Sequence, residues 1–360
     1  MLRIFVDDVT GTDPRSLLNT ARLSALVEAV TPRDKYLECN GDATVAVDAD
    51  CIFSVGGYLF KTVQTTLSAA NLDLGSFVIG NDYYIYLCDP GSLQDGVIRI
   101  SLNSTFPNGF TASNSRKIGG FHFGMCRRVN PQSLVPINAG GVDRGAGWEG
   151  NVYLGIIPRS VWTLKHRPNC NPEGMVHLKG TTWVDIYLSS DNGAGGLRSR
   201  YNAVPMTGTE GMTQYLFNER ALVVGKRLMS YDEFCQAAFG SPQGAASGNT
   251  MAWTNASARN PAGLVNNATS SIGCRDCVGN VWEWMRDIFE NFWNPTAGAW
   301  HDAMPGQDVG QIWMHNPTAL RALLAGGNWS GLARAGARAA VVNNWPWQVN
   351  ADVGVRLACD

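Results

Sequence analysis

Eight of the twelve tryptophans in this 360-residue chain fall after residue 280: Trp282, Trp284, Trp293, Trp300, Trp313, Trp329, Trp345 and Trp347. The same stretch is poor in charge. A chain end built this way must either bury its indoles, giving each N–H a partner, or present them to a ligand. The rest of the sequence has the same character. Charged residues make up 16% against the usual quarter, and there are 40 glycines. Hydrophobic residues reach 45%, enough for a folded core and against wholesale disorder. Low charge, many glycines and many aromatics predict an irregular, loop-rich, mostly β protein.

Several function classes drop out. Lysine plus arginine (28) nearly balances aspartate plus glutamate (30), for a net charge of -2, which argues against a nucleic-acid binder relying on a basic surface. No apolar run approaches the roughly 20 residues of a membrane helix, which argues against membrane insertion. Met1 to Val9 shows no cationic segment followed by a long apolar one, so no signal peptide is evident. Nine cysteines are widely spaced, and only Cys274 and Cys277 form a C-x-x-C pair. With no second pair, and no H-x3-5-H spacing from His301 and His315, a zinc site lacks ligands. Buried thiols made in a reducing cytoplasm are the expectation.

The length suits two or more cores. Residues 1–9 alternate like a strand. Thr12 or Asp13 can cap a helix that starts at Pro14 and runs through Leu18, Ala21, Ala25, Leu26 and Ala29. Short β-like runs follow to about Leu102: TVAVDA, CIFSVGGYLFKTV, SFVIG, YYIYLC and VIRISL. The polar segment 107–117 reads as a boundary. Beyond it, IGGFHFGMC, VYLGIIP, SVWTL, MVHL and TTWVDIYLSS are strand-like. The segments 140–150, 190–202 and 240–271 are long loops, and loops of that length usually carry function or pack on themselves. Ser230 opens a helix with Asp232 and Glu233 in its first turn, stopping near Gly240.

In GNVWEW (279–284), alternation places Trp282 and Trp284 on one strand face and Val281 on the other. Those two indoles are read as core. Trp345-Pro346-Trp347 cannot run inside a central strand, because proline removes a ladder donor. It is either an exposed turn presenting indoles or a C-terminal hairpin with one buried Trp.

Three phrases in order, GNVWEW, GGNW and GVRL, resemble the C-type-lectin-like fold of formylglycine-generating enzymes. They resemble still more closely the variable proteins of diversity-generating retroelements, the phage major tropism determinant class. The likeness covers about residues 115–360 and extends to IGGFHFG and SYDEFCQAAFG. It implies an α+β fold: a C-type lectin-like domain with long loop insertions over 113–360, preceded by a small mostly β N-terminal domain over 1–112. A variable region is implied at about 326–360.

Oxidase-type relatives carry a reactive cysteine pair shortly after the GGxW phrase. Here those places read Ser330 to Ala337, with no cysteine between Cys277 and Cys359, so that mechanism has no nucleophile. The resemblance therefore implies a non-enzymatic binding protein for a cell-surface protein or glycan. A fixed-specificity carbohydrate-binding lectin is the alternative, and an oxidase the remote one. In such families AAC codons are randomised at their first two bases, which leaves Trp, Met, Lys, Glu and Gln out of reach. Candidate ligand-binding positions are Asn328, Ser330, Gly331, Leu332, Arg334, Val341, Asn343, Asn344, Trp347, Gln348, Asn350 and Asp352, of which Trp347 and Gln348 lie outside the AAC set. Trp329, Gly336, Arg338, Ala339, Ala340, Pro346, Gly354 and Arg356 are the expected fixed scaffold. The arginines are read as bonding loop carbonyls or a carboxylate from below. No cofactor is expected. Glu283 and Asp287 leave calcium open, although its roughly six to eight oxygens cannot be assembled from sequence. The phage relatives are trimeric, which implies a homo-oligomer. The phage particle, or cytoplasmic synthesis with surface display, is the expected location.

Overall fold

Period-two burial turns the short apolar runs into paired strands. In Thr44–Val47, Val45 and Val47 are fully buried while Thr44 and Ala46 are half-exposed. The computed structural model describes residues 2–4, 34–91, 95–245, 249–290, 299–302, 310–314 and 320–360. These are mainly β, with two short α-helices, Gln214–Val223 and Tyr231–Ala237. Most of the α content implied by α+β is thus absent from the described residues. The helix expected over residues 14–29 lies outside them, as does most of the expected strand 1–9, of which Leu2–Ile4 is a strand.

The chain divides into two units. The first holds Met1–Phe123 and Val161–Arg167. It contains the sheets Leu2–Ile4/Tyr58–Lys61/Ile52–Val55 and Leu37–Gly41/Thr44–Val47/Thr65–Leu67. In a third sheet Asn81–Cys88 lies between Val97–Ser101 and Ser115–Arg127, a strand that continues into the second unit. Gly119 and Gly120 let Trp162–Thr163 pair closely: a Cβ on Gly120 would meet the Trp162 ring at 2.8 Å. The expected strand SFVIG (76–80) is a loop and turn. Phe77 packs into an aromatic cluster with Tyr83, Phe121 and Phe123, and the Val78 N–H donates to the Tyr83 hydroxyl at 2.8 Å, so side chains hold this segment in place of a ladder.

The second unit holds Gly124–Ser160 and Pro168–Asp360. Its four-stranded sheet runs Met175–Lys179, Thr182–Asp185, Leu357–Cys359, Arg227–Leu228, so the GVRL phrase feeds an interior strand. A six-stranded sheet runs Ala299–Asp302, Gln311–Met314, Ala340–Asn344, Leu320–Ala325, Trp282–Glu290, Val353–Gly354. The segment 190–202, expected as loop, is mostly a hairpin of Ser189–Asp191 with Leu197–Ser199. Helix Tyr231–Ala237 begins where expected: the Glu233 N–H donates to the Ser230 hydroxyl, and the Glu233 carboxylate accepts from the Ser230 N–H. No disulfide joins any of the nine cysteines, eight of which are buried, and burial pushes the Cys88 thiol up to about 12.

Candidate functional site

The strand opening at Trp282 separates two cores. Trp282 and Trp284 pack with Ala322, Leu324, Ala339, Val353 and Leu357, while Val281 and Met285 enter the other cluster with Phe234 and Ala325. The opposite-face expectation for GNVWEW therefore describes this strand. One rule fails locally: the fully buried Trp284 indole N–H has no partner among the described residues.

Glu283 and Arg356 meet at the junction of these layers, both at 0% side-chain exposure. Arg356 donates Nε to Glu283 Oε2 at 3.2 Å and Nη2 to Oε1 at 3.0 Å. Its remaining N–H groups donate to the carbonyls of Asp185 (3.1 Å), Ile186 (2.6 Å) and Arg275 (2.6 Å). Burial alone would lower the guanidinium; the negative groups around it outweigh that and raise it, so it stays charged. Burial pushes the Glu283 carboxyl up and Arg356 pulls it back. The two-bond fork between them keeps the pair ionised. Arg356 thus holds a carboxylate and loop carbonyls from below. Glu283 is spent on it, and Asp287 accepts the Tyr231 N–H at 2.7 Å. Among the described residues no group of three or more His, Cys, Asp or Glu side chains is placed to hold a metal.

Above this lock the chain from Gly326 to Val353 is carried by main-chain hydrogen bonds. Gly326 N donates to Ala339 O (3.0 Å) and Gly336 N to Gly326 O (3.1 Å), closing a loop on itself. Gly326 and Gly327 take φ of 92° and 99°, which an L side chain resists. The 240–271 segment grips that loop from outside. Trp329 O accepts from Ala256 N at 2.8 Å, Leu332 N donates to Thr254 O at 3.0 Å, and Ala335 O accepts from Gly244 N at 3.0 Å. Further on, Gln214 N donates to Pro346 O (3.0 Å), Gly208 N to Asn350 O (2.9 Å) and Trp282 N to Asp352 O (2.8 Å).

None of the twelve candidate positions is buried. Ser330, Leu332, Arg334 and Trp347 are exposed; Asn328, Gly331, Val341, Asn343, Asn344, Gln348, Asn350 and Asp352 are half-buried. Of the expected scaffold, Gly336, Ala339, Ala340, Pro346, Gly354 and Arg356 are buried, whereas Trp329 and Arg338 are half-buried. Val341 leans on the core around Trp284. Asn328 reaches across to Asp352, its Nδ2 donating to Oδ2 at 2.5 Å, and accepts from the Ser330 N–H and hydroxyl. Trp345 and Trp347 stand out on an exposed turn, so the buried-Trp hairpin alternative fails.

Two supporting elements escaped the sequence reading. Helix Gln214–Val223 was missed because its apolar residues Tyr215, Leu216, Leu222 and Val223 face solvent, which leaves little helical pattern; Thr213, whose hydroxyl caps Leu216 N, was the available signal. Gly208 was missed because nothing local marks it: a Cβ there would lie 2.5 Å from Asn350 O.

Fold and face together define a two-part chain whose C-terminal unit carries an outward segment on a buried, polar-locked frame. The models of two families match: Mtd second domain over residues 35–149, and sulfatase-modifying factor enzyme 1-like domain over residues 218–360. The tail fiber receptor-binding protein of Bordetella phage BPP-1 is 30% identical over 339 residues, 89% of this chain and 80% of that protein. Among solved structures, the Major Tropism Determinant U1 variant aligns at TM-score 0.68 with 26% identity, covering 94% of this chain and 87% of that one. The P3c variant aligns at 0.66 with 27% identity, covering 90% and 83%. The chain belongs to the major tropism determinant family.

Proposed function

We propose that this chain is a non-enzymatic receptor-binding protein of a phage tail fibre, carried in the virion. Its C-terminal unit is a C-type lectin-like domain, and the outward side of residues 328–352, diversified by a retroelement, recognises a ligand on the host-cell surface. One observation carries the reading: none of the twelve candidate positions is buried, whereas six of the eight expected scaffold residues are. A face that accepts exchange of its side chains must leave the core alone, or most variants would fail to fold.

The test is a combined replacement of Ser330, Arg334, Asn343, Asn344 and Asn350. The variant keeps the parent's melting curve and loses adsorption to cells that bind the parent. Unchanged adsorption refutes the assignment of the face. Diversification is tested in the flanking DNA, which should hold a near-copy of the gene's 3′ end with adenine-limited differences beside a reverse transcriptase.

A further inference from the structure

Trp345 and Trp347 are the most exposed indoles among the described residues, at 40% and 50%. Leaving two such groups in water forfeits the favourable burial of two large apolar side chains. They are nevertheless held in one geometry. Their ring centroids lie 5.1 Å apart at an interplanar angle of 71°. Pro346 between them is buried and tied by its carbonyl to Gln214 N. Gln214 is tied in turn, its Nε2 donating to Met285 O at 2.6 Å. The guanidinium of Arg321, 4% exposed, lies 4.4 Å from the Trp345 ring centroid and takes that ring's inner side. The result is a stiff two-walled aromatic corner.

The surroundings point to the ligand's chemistry. From Ala339 to Ala351 there is not one ionisable side chain. The polar groups are amides: Asn343, Asn344, Gln348 and Asn350. Gln348 Oε1 accepts from Trp345 N at 3.4 Å and its Nε2 donates to Asn350 Oδ1 at 3.2 Å, so the amides brace the turn. An amide both donates and accepts, which complements neighbouring hydroxyls that do the same. Indole faces pack against C–H groups. A saccharide ring supplies an apolar C–H face and a rim of hydroxyls together, without charge. Protein hot spots draw on arginine alongside aromatics, and the outward side of this turn offers none.

We propose that the Trp345–Trp347 corner is a stacking subsite for a neutral pyranose ring of a receptor glycan, an inference that rests on the receptor-binding reading above. The corner supplies contact area, and the surrounding positions select among sugars by their hydroxyls.

The full chain is titrated with the methyl glycosides of glucose, galactose, mannose and N-acetylglucosamine, read by saturation-transfer NMR and indole fluorescence. Saturable transfer to ring C–H protons is expected for at least one. Trp345→Ala and Trp347→Ala should each weaken it roughly tenfold, the size of one aromatic contact, while Trp347→Phe retains most of it. Circular dichroism confirms that the variants fold. No transfer from any glycoside, or transfer indifferent to both alanine variants, overturns the subsite. A second arm applies labelled chain to host cells treated with periodate or with protease. Loss after periodate supports the proposal. Loss after protease alone, with Trp347→Ala still impaired, overturns the saccharide and keeps the receptor reading. Glycoside binding with no adsorption to untreated cells removes the receptor reading and keeps the subsite.

Discussion

Replacing Arg356 by methionine removes five hydrogen bonds at once: two to Glu283 and one each to the carbonyls of Asp185, Ile186 and Arg275. Methionine fills much of the volume, so the loss is electrostatic rather than a cavity. It strands the Glu283 carboxylate, at 0% exposure, without a counter-charge. Breaking a buried pair from one side costs about 3–5 kcal/mol. Glu283 has one escape, which is to take up a proton. Without Arg356 its folded-state pKa rises further above the ordinary 4.5, because burial already pushes it up. A carboxyl with a raised folded pKa binds more protons folded than unfolded. The variant therefore recovers stability on acidification and loses it as pH rises towards the folded pKa, by up to about 1.4 kcal/mol per pH unit. Urea melts of parent and Arg356→Met at pH 5, 6 and 7, followed by tryptophan fluorescence, measure both effects. Adding Glu283→Gln to Arg356→Met should abolish the pH dependence and return part of the stability. A deficit below about 1 kcal/mol, or one that stays constant from pH 5 to 7, would refute the buried lock.

Gly208→Ala pushes a methyl into the Asn350 main chain and should cost roughly 1–3 kcal/mol, with the strain appearing as altered exchange of the Asn350 and Val353 amides. Trp282→Ala should cost about 3–5 kcal/mol, and Ser330→Ala or Asn344→Ala under about 0.5, in denaturant melts; equal losses would contradict the division between frame and face. Trp329, half-buried, should fall between, at roughly 1–3 kcal/mol for its alanine variant. Leu332 sits in the left-handed region at φ 52°, so Leu332→Asn should raise stability by about 1 kcal/mol. The Arg259 guanidinium hydrogen-bonds Glu210 and holds its carboxyl below the ordinary 4.5 against the opposing effect of burial. Its contribution is complete above that pH and is lost as pH falls through the folded value, so Arg259→Gln should flatten the acid limb of a pH–stability curve.

What was legible in the sequence is what local chemistry determines. Ser230 and Glu233 announce their capping box within four residues, and the Trp282/Trp284 alternation carries its facing with it. The role of Arg356 was legible in kind, because a lone arginine in an apolar phrase must find acceptors. Its partners were not all legible: Asp185, Ile186 and Arg275 are brought to it only by the tertiary fold. Phe77 shows the opposite failure. SFVIG has strand composition, but one ring entering an aromatic cluster decided its conformation over any ladder. The exposed stripe of helix Gln214–Val223 misled in the same way, because hydrophobic periodicity reports burial and this helix buries only Gln214, Phe217 and Ala221.

The face and its frame are held by different kinds of bond, and the difference bears on tolerance. Below, the frame depends on side-chain identity: Arg356 with Glu283, the paired indoles of Trp282 and Trp284, and Lys226 with Asp185 at 2.6 Å. Above, the segment 326–353 is fixed largely by its own N–H and C=O groups, bonded to Asn280, Thr254, Gly244, Gln214 and Gly208. A main-chain bond survives replacement of the side chain beside it, proline excepted. Substitution along this segment therefore leaves its course in place, and its cost is confined to special backbone angles and to side chains that lean on the core. Leu332 is the first kind, by its φ, and Val341 the second, by its contact with the Trp284 cluster. At Ser330 and Asn344 neither constraint applies, so the fold leaves the side chain there free to vary, whereas Arg334 stacks on the Trp300 ring beside the core.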